Sequence, residues 1–274
     1  MALASLSLFS PPPPPPPPKT LTAIQNSGVI ACLRAHDGKT AMDAASAALR
    51  GGISVLEIVM STPGVLEEQS ISSLCGCQMV SAQIFLFNLM DDSDKNDKIA
   101  TTERSRQIEA TLKVIKDLRK DHPSLTFGVG TILNVEDARK AVKAGAQFLM
   151  SPCSVTEILL ELEGSEILYI PGVMTPTEVL LAYNAGAKIV KVYPVSLLGG
   201  EKYISALKKP FPHVPMVASQ GVTTESIGRY IEAGASAVVL SDAIFDKGAM
   251  QQRSFDEIER LASCAVLQAN QAIK

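Results

Sequence analysis

The chain has 274 residues, of which 46% are hydrophobic and 19% are charged. This composition supplies enough apolar material for a large core and excludes a chain that is disordered throughout. The formal net charge is −3 and no segment concentrates Lys and Arg, so the sequence does not indicate a partner that is a nucleic acid or a membrane surface. No apolar run approaches the length of about 18 residues that a membrane span needs. We therefore expect a soluble globular protein, built either as one α/β barrel or as two smaller domains.

The N-terminal segment 1–27 differs in composition from the rest of the chain. Pro11 to Pro18 form an uninterrupted proline run, which adopts polyproline II and cannot pack as a helix or a central strand. The segment contains Ser, Ala and Thr but no acidic residue, which is typical of organelle transit peptides. We predict a disordered extension that directs the protein to a plastid; a tail on a cytoplasmic protein is the alternative.

From Gly28 onward, eight short strand-like segments alternate with helical patterns. Glycines at 51–52, 145, 186 and 234 close four of these helical patterns just before a strand, as left-handed helix C-caps do. This alternation is typical of βα units and predicts a single (β/α)8 TIM barrel over residues 28–274, with its chemistry at the carboxyl ends of the strands. A doubly wound open sheet is the alternative, but no G-x-G-x-x-G follows the first strand. The predicted strands are 29–34, 54–60, 126–131, 148–152, 167–172, 189–194, 215–220 and 237–242.

The interval between the second and third predicted strands is longer than one helix requires. Apolar residues at helical spacing predict a helix over 108–120. Residues 67–106 precede it and are interpreted as an insertion, whose polar part has no period. Cysteine spacing gives no reason to expect a metal here, because Cys75 and Cys77 lack the second ligand pair of a structural zinc site.

Two ionisable residues lie in the middle of apolar strand segments. Lys191 shares one face of its strand with Ile189 and Tyr193, which would place it toward the interior of a barrel. Burial favours the uncharged form of a lysine, which is the nucleophile in Schiff-base chemistry; an outward lysine or a structural ion pair is the alternative. Glu57 occupies a similar position in the second strand. A buried ion pair gains little over apolar packing, whereas a carboxylate near a carbinolamine can transfer its protons, so the two residues together suggest imine catalysis.

Two further polar residues close predicted strands. Arg34 ends the first strand and can bind a carboxylate or a phosphate through a two-pronged pair. Thr131 ends the third strand, where Gly128 and Gly130 allow a ligand to approach the backbone. The alternatives are a surface arginine and a threonine that caps a helix.

These segments resemble the class I aldolases of the 2-keto-3-deoxy-6-phosphogluconate (KDPG) and 2-keto-4-hydroxyglutarate (KHG) family. The resemblance covers about residues 28–248, apart from the insertion, and it implies the TIM-barrel fold of that family. It implies that Lys191 forms a Schiff base with pyruvate, that Glu57 is the general acid and base, and that Arg34 and Thr131 bind substrate. It also implies no metal, no cofactor, a small 2-keto acid as substrate, and a homotrimer. The segments that carry it are VIACLRA, GGISVLEIVMSTPG, GVGTILN, AGAQFLMSP, IPGVMTPTE, IVKVYP and KPFPHV.

The chain departs from this family in the two loops that cradle the substrate phosphate. The family usually has Thr-Gly-Gly after the seventh strand, where this chain has Ser219, Gln220 and Gly221. After the eighth strand the family usually has Gly-Ser, where this chain has Ser241 and Asp242. Gln220 narrows the pocket and Asp242 repels a dianion, which leads to the hypothesis of a changed or relaxed aldehyde partner. A non-phosphorylated aldehyde and a 6-phosphorylated substrate both stay open, and Ser219, Gly221 and Ser241 are expected to contact substrate in either case.

Two other functions remain open at this point. The same imine supports decarboxylation of oxaloacetate or another β-keto acid. A barrel without catalysis that binds an anionic metabolite is the third possibility, because the phosphate loops are altered and the chain carries an insertion.

Overall fold

Residues 17–35, 37–60 and 94–273 are described by the structure, which is a computed structural model. Within these ranges, parallel strands form one sheet in the order β5-β4-β3-β2-β1-β9-β8-β7-β6. Helices connect most of these strands, as the alternating strand and helix patterns of the sequence predicted. The strands are β1 (Val29–Leu33), β2 (Val55–Val59), β3 (Thr126–Gly130), β4 (Phe148–Met150), β5 (Leu168–Ile170), β6 (Gly172–Val173), β7 (Val190–Val192), β8 (Met216–Ser219) and β9 (Ala237–Leu240).

The two strands at the ends of this order are parts of one longer strand. β5 and β6 are separated only by Pro171, and β5 pairs with β4 while β6 pairs with β7. The sheet therefore closes on itself as an eight-stranded barrel, and the predicted (β/α)8 TIM barrel is confirmed. The open, doubly wound sheet is ruled out, because such a sheet would leave two free edges. All eight predicted strand segments contain an observed strand.

The helices cover the outside of the barrel, apart from α1. The largest fully buried side chains include Phe127, Phe148 and Ile115, and the outer core lies between the sheet and these helices. Within the described ranges, no helix combines the length and the apolar character needed to cross a bilayer. The helices are α1 (Lys19–Ser27), α2 (Gly38–Arg50), α3 (Asp94–Asp121), α4 (Val135–Ala144), α5 (Thr156–Glu161), α6 (Pro176–Asn184), α7 (Glu201–Lys208), α8 (Ile227–Glu232), α9 (Lys247–Gln252) and α10 (Phe255–Ala272).

Helix α1 corrects the predicted boundary of the N-terminal extension. Residues 19–27 were expected to be disordered, but they form a helix that ends at Gly28, a left-handed C-cap with φ 64°. Leu21 and Ile24 are buried in the same cluster as the inner side chains of the barrel. This helix therefore closes the amino-terminal end of the barrel, and the extension ends before it. Residues 1–16 lie outside the described residues.

Helix α3 corrects the predicted end of the insertion. The predicted helix 108–120 is confirmed, but the observed helix begins at Asp94, so residues 94–106 belong to it. Ile108, Val114, Ile115 and Leu118 are buried and pack this helix onto the barrel. The remaining part of the predicted insertion, up to residue 93, lies outside the described residues.

The inside of the barrel is filled by alternate residues of the strands. Because side chains alternate across a strand, each inner residue is followed by one that faces the helices. The inner cluster is apolar toward the amino-terminal end, where α1 covers it. Its strand residues are Ile30, Cys32, Val55, Val59, Phe148, Met150, Leu168, Ile170, Ile189, Val217, Ala237 and Val239.

Candidate active site

Lys191 lies on β7 with its side chain inside the barrel. The neighbouring inner position on this strand is Ile189, as the alternation predicted, and Lys191 is only 8% exposed. Its Nζ lies 5.1 Å from the centre of the Tyr193 ring, within the range of a cation–π contact. The Lys191 backbone N–H donates a 2.8 Å hydrogen bond to the Pro171 carbonyl. The lysine is therefore held by the strand pairing that closes the barrel.

Glu57 lies on β2, four strands away from β7 in the closed sheet, so it faces Lys191 from the opposite wall. It is 1% exposed, and its Oε2 is buried with no hydrogen-bond partner among the described residues. Gly130 on β3 makes room for it, because a Cβ at that position would overlap Glu57 Oε1. A buried polar atom without a partner is costly, which marks this carboxylate as a group held ready for chemistry.

Cys32 is a third inner residue at this level, and sequence reasoning missed it. It lies on β1 in register with Glu57 and is 4% exposed. Burial raises the pKa of its thiol, as does the nearby Glu57 carboxylate, while the charges of Arg34 and Lys191 act in the opposite direction. The thiol is therefore within electrostatic reach of three of the predicted site residues, namely Glu57, Arg34 and Lys191. A buried cysteine in an apolar strand reads as a small hydrophobic residue, and only its register with Glu57 could have indicated a further role.

The other predicted site residues follow strands at the carboxyl end of the barrel. Arg34 follows β1 and is exposed, Thr131 follows β3 and is half-buried, and Ser241 follows β9 and is half-buried. Ser219 is the buried last residue of β8, and the exposed Gly221 lies two residues after it. The structure thus brings all seven predicted residues to the same end of the barrel, although their roles stay predictions.

Thr131 and Gln220 have unusual backbone conformations. Their φ angles are 59° and 81°, in the left-handed region that non-glycine residues rarely adopt. Such residues concentrate at functional sites, where the surrounding structure maintains the strain. Thr131 does not cap the following helix, because the side chain of Asn134 accepts the hydrogen bond from Asp137 N at 2.8 Å. That alternative for Thr131 is wrong.

Gln220 has a defined side-chain partner in the loop after β7. The Ser196 hydroxyl donates a hydrogen bond to Gln220 Oε1. Gly221 packs against the same serine so closely that a Cβ there would overlap the Ser196 side chain. Asp242 is exposed beside Ser241. The loops after β7 and β8 are therefore joined next to the open end of the barrel.

The charged groups of the site include no metal-binding cluster. In the ranges 17–35, 37–60 and 94–273, no group of three or more His, Cys, Asp and Glu side chains could hold a metal ion. The chemistry that these described residues support is that of a buried amine facing a buried carboxylate, with a cationic guanidinium at the rim.

Comparison with known proteins identifies the family. The family model described as KDPG and KHG aldolase matches residues 88–261, which is more than half of the chain and includes Thr131 and Lys191. It begins after Arg34 and Glu57, which the fold alone brings to the site.

Individual relatives agree with this match. The 2-dehydro-3-deoxy-phosphogluconate aldolase of Pseudomonas aeruginosa is 29% identical over 55% of this chain and 69% of its own. The KHG/KDPG aldolase of Escherichia coli K12 is 29% identical over 61% of this chain and 79% of its own. The fold is similar to that of the KDPG aldolase from Legionella pneumophila, solved with pyruvate captured as a covalent carbinolamine; the TM-score is 0.67 at 22% identity, over 89% of this chain and 97% of that one. The chain therefore belongs to the KDPG and KHG aldolase family.

Proposed function

We propose that the chain is a class I aldolase, a lyase that cleaves a 2-keto-3-deoxy-4-hydroxy acid to pyruvate and an aldehyde. The observation that carries this proposal is the pair of buried, opposed ionisable side chains inside the barrel, Lys191 on β7 and Glu57 on β2. Burial of two such groups is a poor way to gain stability, but it is what imine chemistry requires.

The reaction begins with Lys191. Its uncharged Nζ attacks the C2 ketone of the substrate and forms a carbinolamine, and loss of water gives the protonated imine. Glu57 supplies the proton that leaves with the hydroxyl group and takes protons from the amine, through the carboxylate oxygen that has no hydrogen-bond partner among the described residues. The described chain thus provides both the nucleophile and the proton carrier.

Carbon–carbon cleavage follows from the same arrangement. Glu57 removes the proton of the C4 hydroxyl, the C3–C4 electron pair moves into the imine, and the aldehyde leaves. The resulting enamine takes a proton at C3, and water hydrolyses the imine to release pyruvate and regenerate Lys191. Arg34 at the rim pairs with the carboxylate of the keto acid, and Thr131 contacts it from the end of β3.

The aldehyde half of the substrate lies against the loops after β8 and β9. Ser219, Gly221 and Ser241 provide hydroxyl and backbone groups there, while the exposed Asp242 carries a negative charge. Gln220 keeps a left-handed backbone and is bonded to Ser196, so it fills space that a glycine would leave open. We therefore expect a non-phosphorylated aldehyde, since a phosphate dianion would meet Asp242.

The imine is tested by trapping. We expect that incubation with pyruvate and borohydride adds a reduced pyruvyl group to Lys191, detected by mass spectrometry of the peptide. Lys191→Ala is the control and gains no adduct. If the folded wild-type chain also forms no adduct, the barrel binds a metabolite without catalysis.

The aldehyde is tested by comparing cleavage of 2-keto-4-hydroxyglutarate with cleavage of KDPG. We expect a larger kcat/KM for the non-phosphorylated acid. The variant with both Gln220→Gly and Asp242→Ser should gain activity toward KDPG. A strong preference of the wild type for KDPG would contradict this part of the proposal.

We further propose a homotrimer. Large apolar side chains are exposed on three consecutive βα units, which monomeric proteins seldom show in one region. Leu181 on α6 is 62% exposed and Leu197 after β7 is 79% exposed. Leu181→Glu should reduce the mass measured by light scattering to that of a monomer, whereas Leu267→Glu on α10, a position 57% exposed, should not. The other exposed side chains of this region are Leu160, Met174, Leu180 and Tyr183.

Localisation to a plastid remains a proposal from the composition of residues 1–27. Its test is the position of a fluorescent protein that carries these residues at its N-terminus in a plant cell. The same fusion without residues 1–16 is the control and should remain in the cytoplasm, as should the full fusion if the segment is only a tail.

A further inference from the structure

The surroundings of Glu57 single out one neighbouring side chain. Two residues are paired with Glu57 in the sheet, Cys32 on β1 and Gly128 on β3. Gly128 has no side chain, and the place of its missing Cβ is filled by the ring of Phe148. Of the two paired positions, only Cys32 therefore presents a hydrogen-bond donor to the carboxylate.

The position of Cys32 inside the barrel restricts what its side chain can contact. The side chain is 4% exposed and lies in the inner apolar cluster, level with Glu57 and away from solvent. Neighbouring strands of a sheet are about 4.8 Å apart, so inner side chains in register touch each other. The Cys32 thiol and the Glu57 carboxyl therefore lie side by side on the inner wall of the barrel.

The electrostatics agree with a thiol that keeps its proton. Burial raises the pKa of the Cys32 thiol, and the Glu57 carboxylate raises it further. Among the described residues, the charged or titratable groups near this pair are Arg34 at the end of β1 and Lys191 on the opposite wall. Because the thiol stays protonated, it acts as a donor and not as a nucleophile.

We propose that Cys32 is a positioning residue for the aldolase reaction: its S–H donates to the Glu57 carboxylate and fixes its orientation while Oε2 faces the substrate. The role rests on the proposed function, since it acts through Glu57. A hydrogen bond accepted by a carboxylate favours its charged form, so removal of the donor should also alter the pH dependence of the rate.

The test compares three variants of the full chain. Cys32→Val removes the donor by replacing the thiol with two methyl groups, Cys32→Ser keeps a donor, and Ile30→Val alters packing at the next inner position of β1. We expect Cys32→Val to lower kcat about tenfold, as loss of one hydrogen bond to a charged group does, with KM changed less than about twofold. The acidic limb of its rate profile should move to higher pH. Cys32→Ser should recover kcat to within about threefold of the wild type and restore the profile.

Two results would overturn the positioning role. One is a kcat and pH profile of Cys32→Val that match those of Ile30→Val, because then Cys32 only fills space. The other is equal damage in Cys32→Ser and Cys32→Val. If the valine variant does not fold by circular dichroism, Cys32→Ala takes its place, since it removes the donor without adding volume.

Pyruvate trapping separates this role from the proposed function. All three variants keep Lys191 and should still form the borohydride-reduced adduct. A wild type that forms the adduct, with a Cys32→Val variant of unchanged kinetics, refutes only the positioning role. A wild type without the adduct refutes the aldolase and the positioning role together.

Discussion

The two ends of the barrel are built in opposite ways. At the amino-terminal end, α1 inserts Leu21 and Ile24 against apolar strand residues, and no strained residue is found among these described positions. At the carboxyl end, Glu57 has a buried oxygen without a described partner, and Thr131 and Gln220 have left-handed backbones. The amino-terminal end therefore provides the stability that offsets the unfavourable but functional arrangement at the carboxyl end.

The largest expected effect is that of a substitution at Glu57, at the carboxyl end. We expect Glu57→Gln to reduce kcat about a thousandfold, because proton transfer is lost, while the melting temperature rises or stays unchanged, because a buried charge is removed. Activity assays and thermal unfolding on the same preparation check both results. A large drop in melting temperature would show that Glu57 is mainly structural.

At the amino-terminal end, Ile24→Ala should lower the stability of the protein without changing its activity. Ile24 is fully buried beneath the barrel, so its truncation should lower the free energy of unfolding by about 3 kcal/mol. The kcat at 25 °C should not change. Leu267→Ala, at an exposed helical position, is the control and should have little effect on denaturant unfolding. Loss of kcat in folded Ile24→Ala would mean that the two ends are coupled.

Gly130→Ala perturbs the carboxyl end of the barrel without removing any reactive group. The added Cβ overlaps Glu57 Oε1 and must displace the carboxyl. A displacement of about 1 Å reduces kcat about a hundredfold in preorganised sites, and we expect a loss of that order here. Gly228→Ala on α8 is the matched control, because no atom lies within 4 Å of its added Cβ. Equal kcat for the two variants would contradict the proposed placement of Glu57.

The smallest expected effect is that of a substitution at Asp37, which lies near the carboxyl end of the barrel but has a structural role. The Asp37 side chain caps α2 and accepts a 2.9 Å hydrogen bond from Thr40 N, which lowers the pKa of the carboxyl. Asp37→Ala should cost about 1 kcal/mol of unfolding free energy at pH 7. Because the folded-state pKa is lowered, this contribution is present at neutral pH and is lost as the pH falls from about 4 through the folded-state pKa.

Denaturant unfolding of both proteins at several pH values checks this sign. The difference between wild type and Asp37→Ala should shrink toward zero in acid. A difference that is the same at pH 7 and in strong acid would mean that the charged carboxylate does not cap the helix.

The barrel and the pair inside it could be predicted from the sequence. Alternating β-branched segments and glycine junctions determine the strands, and alternation along 189–194 determines which way Lys191 points. The predicted strand 167–172 contains β5 and the first residue of β6, through which the barrel closes. The predictions were correct for the segments in which apolar residues recur periodically and face the core.

The parts that the sequence did not predict depend on partners distant in the chain. Residues 19–27 follow a proline run, and burial of Leu21 and Ile24 has meaning only once a barrel end exists to receive them. Asp94 begins a helix whose first turns are polar and lack a period. Cys32 gains its role only from its register with Glu57, and a register between strands is not encoded in either strand alone.

Pro171 connects the closure of the barrel to the position of Lys191. Its ring interrupts the strand between β5 and β6, and its carbonyl accepts the backbone N–H of the lysine at 2.8 Å. Proline has no N–H of its own, so this residue can bond across the sheet only as an acceptor. The residue at which the barrel closes therefore also holds β7, the strand that carries Lys191. The rate at which the Lys191 amide exchanges with deuterated solvent would therefore report the rate at which the barrel opens at this position. Enzyme activity should be lost at the same rate.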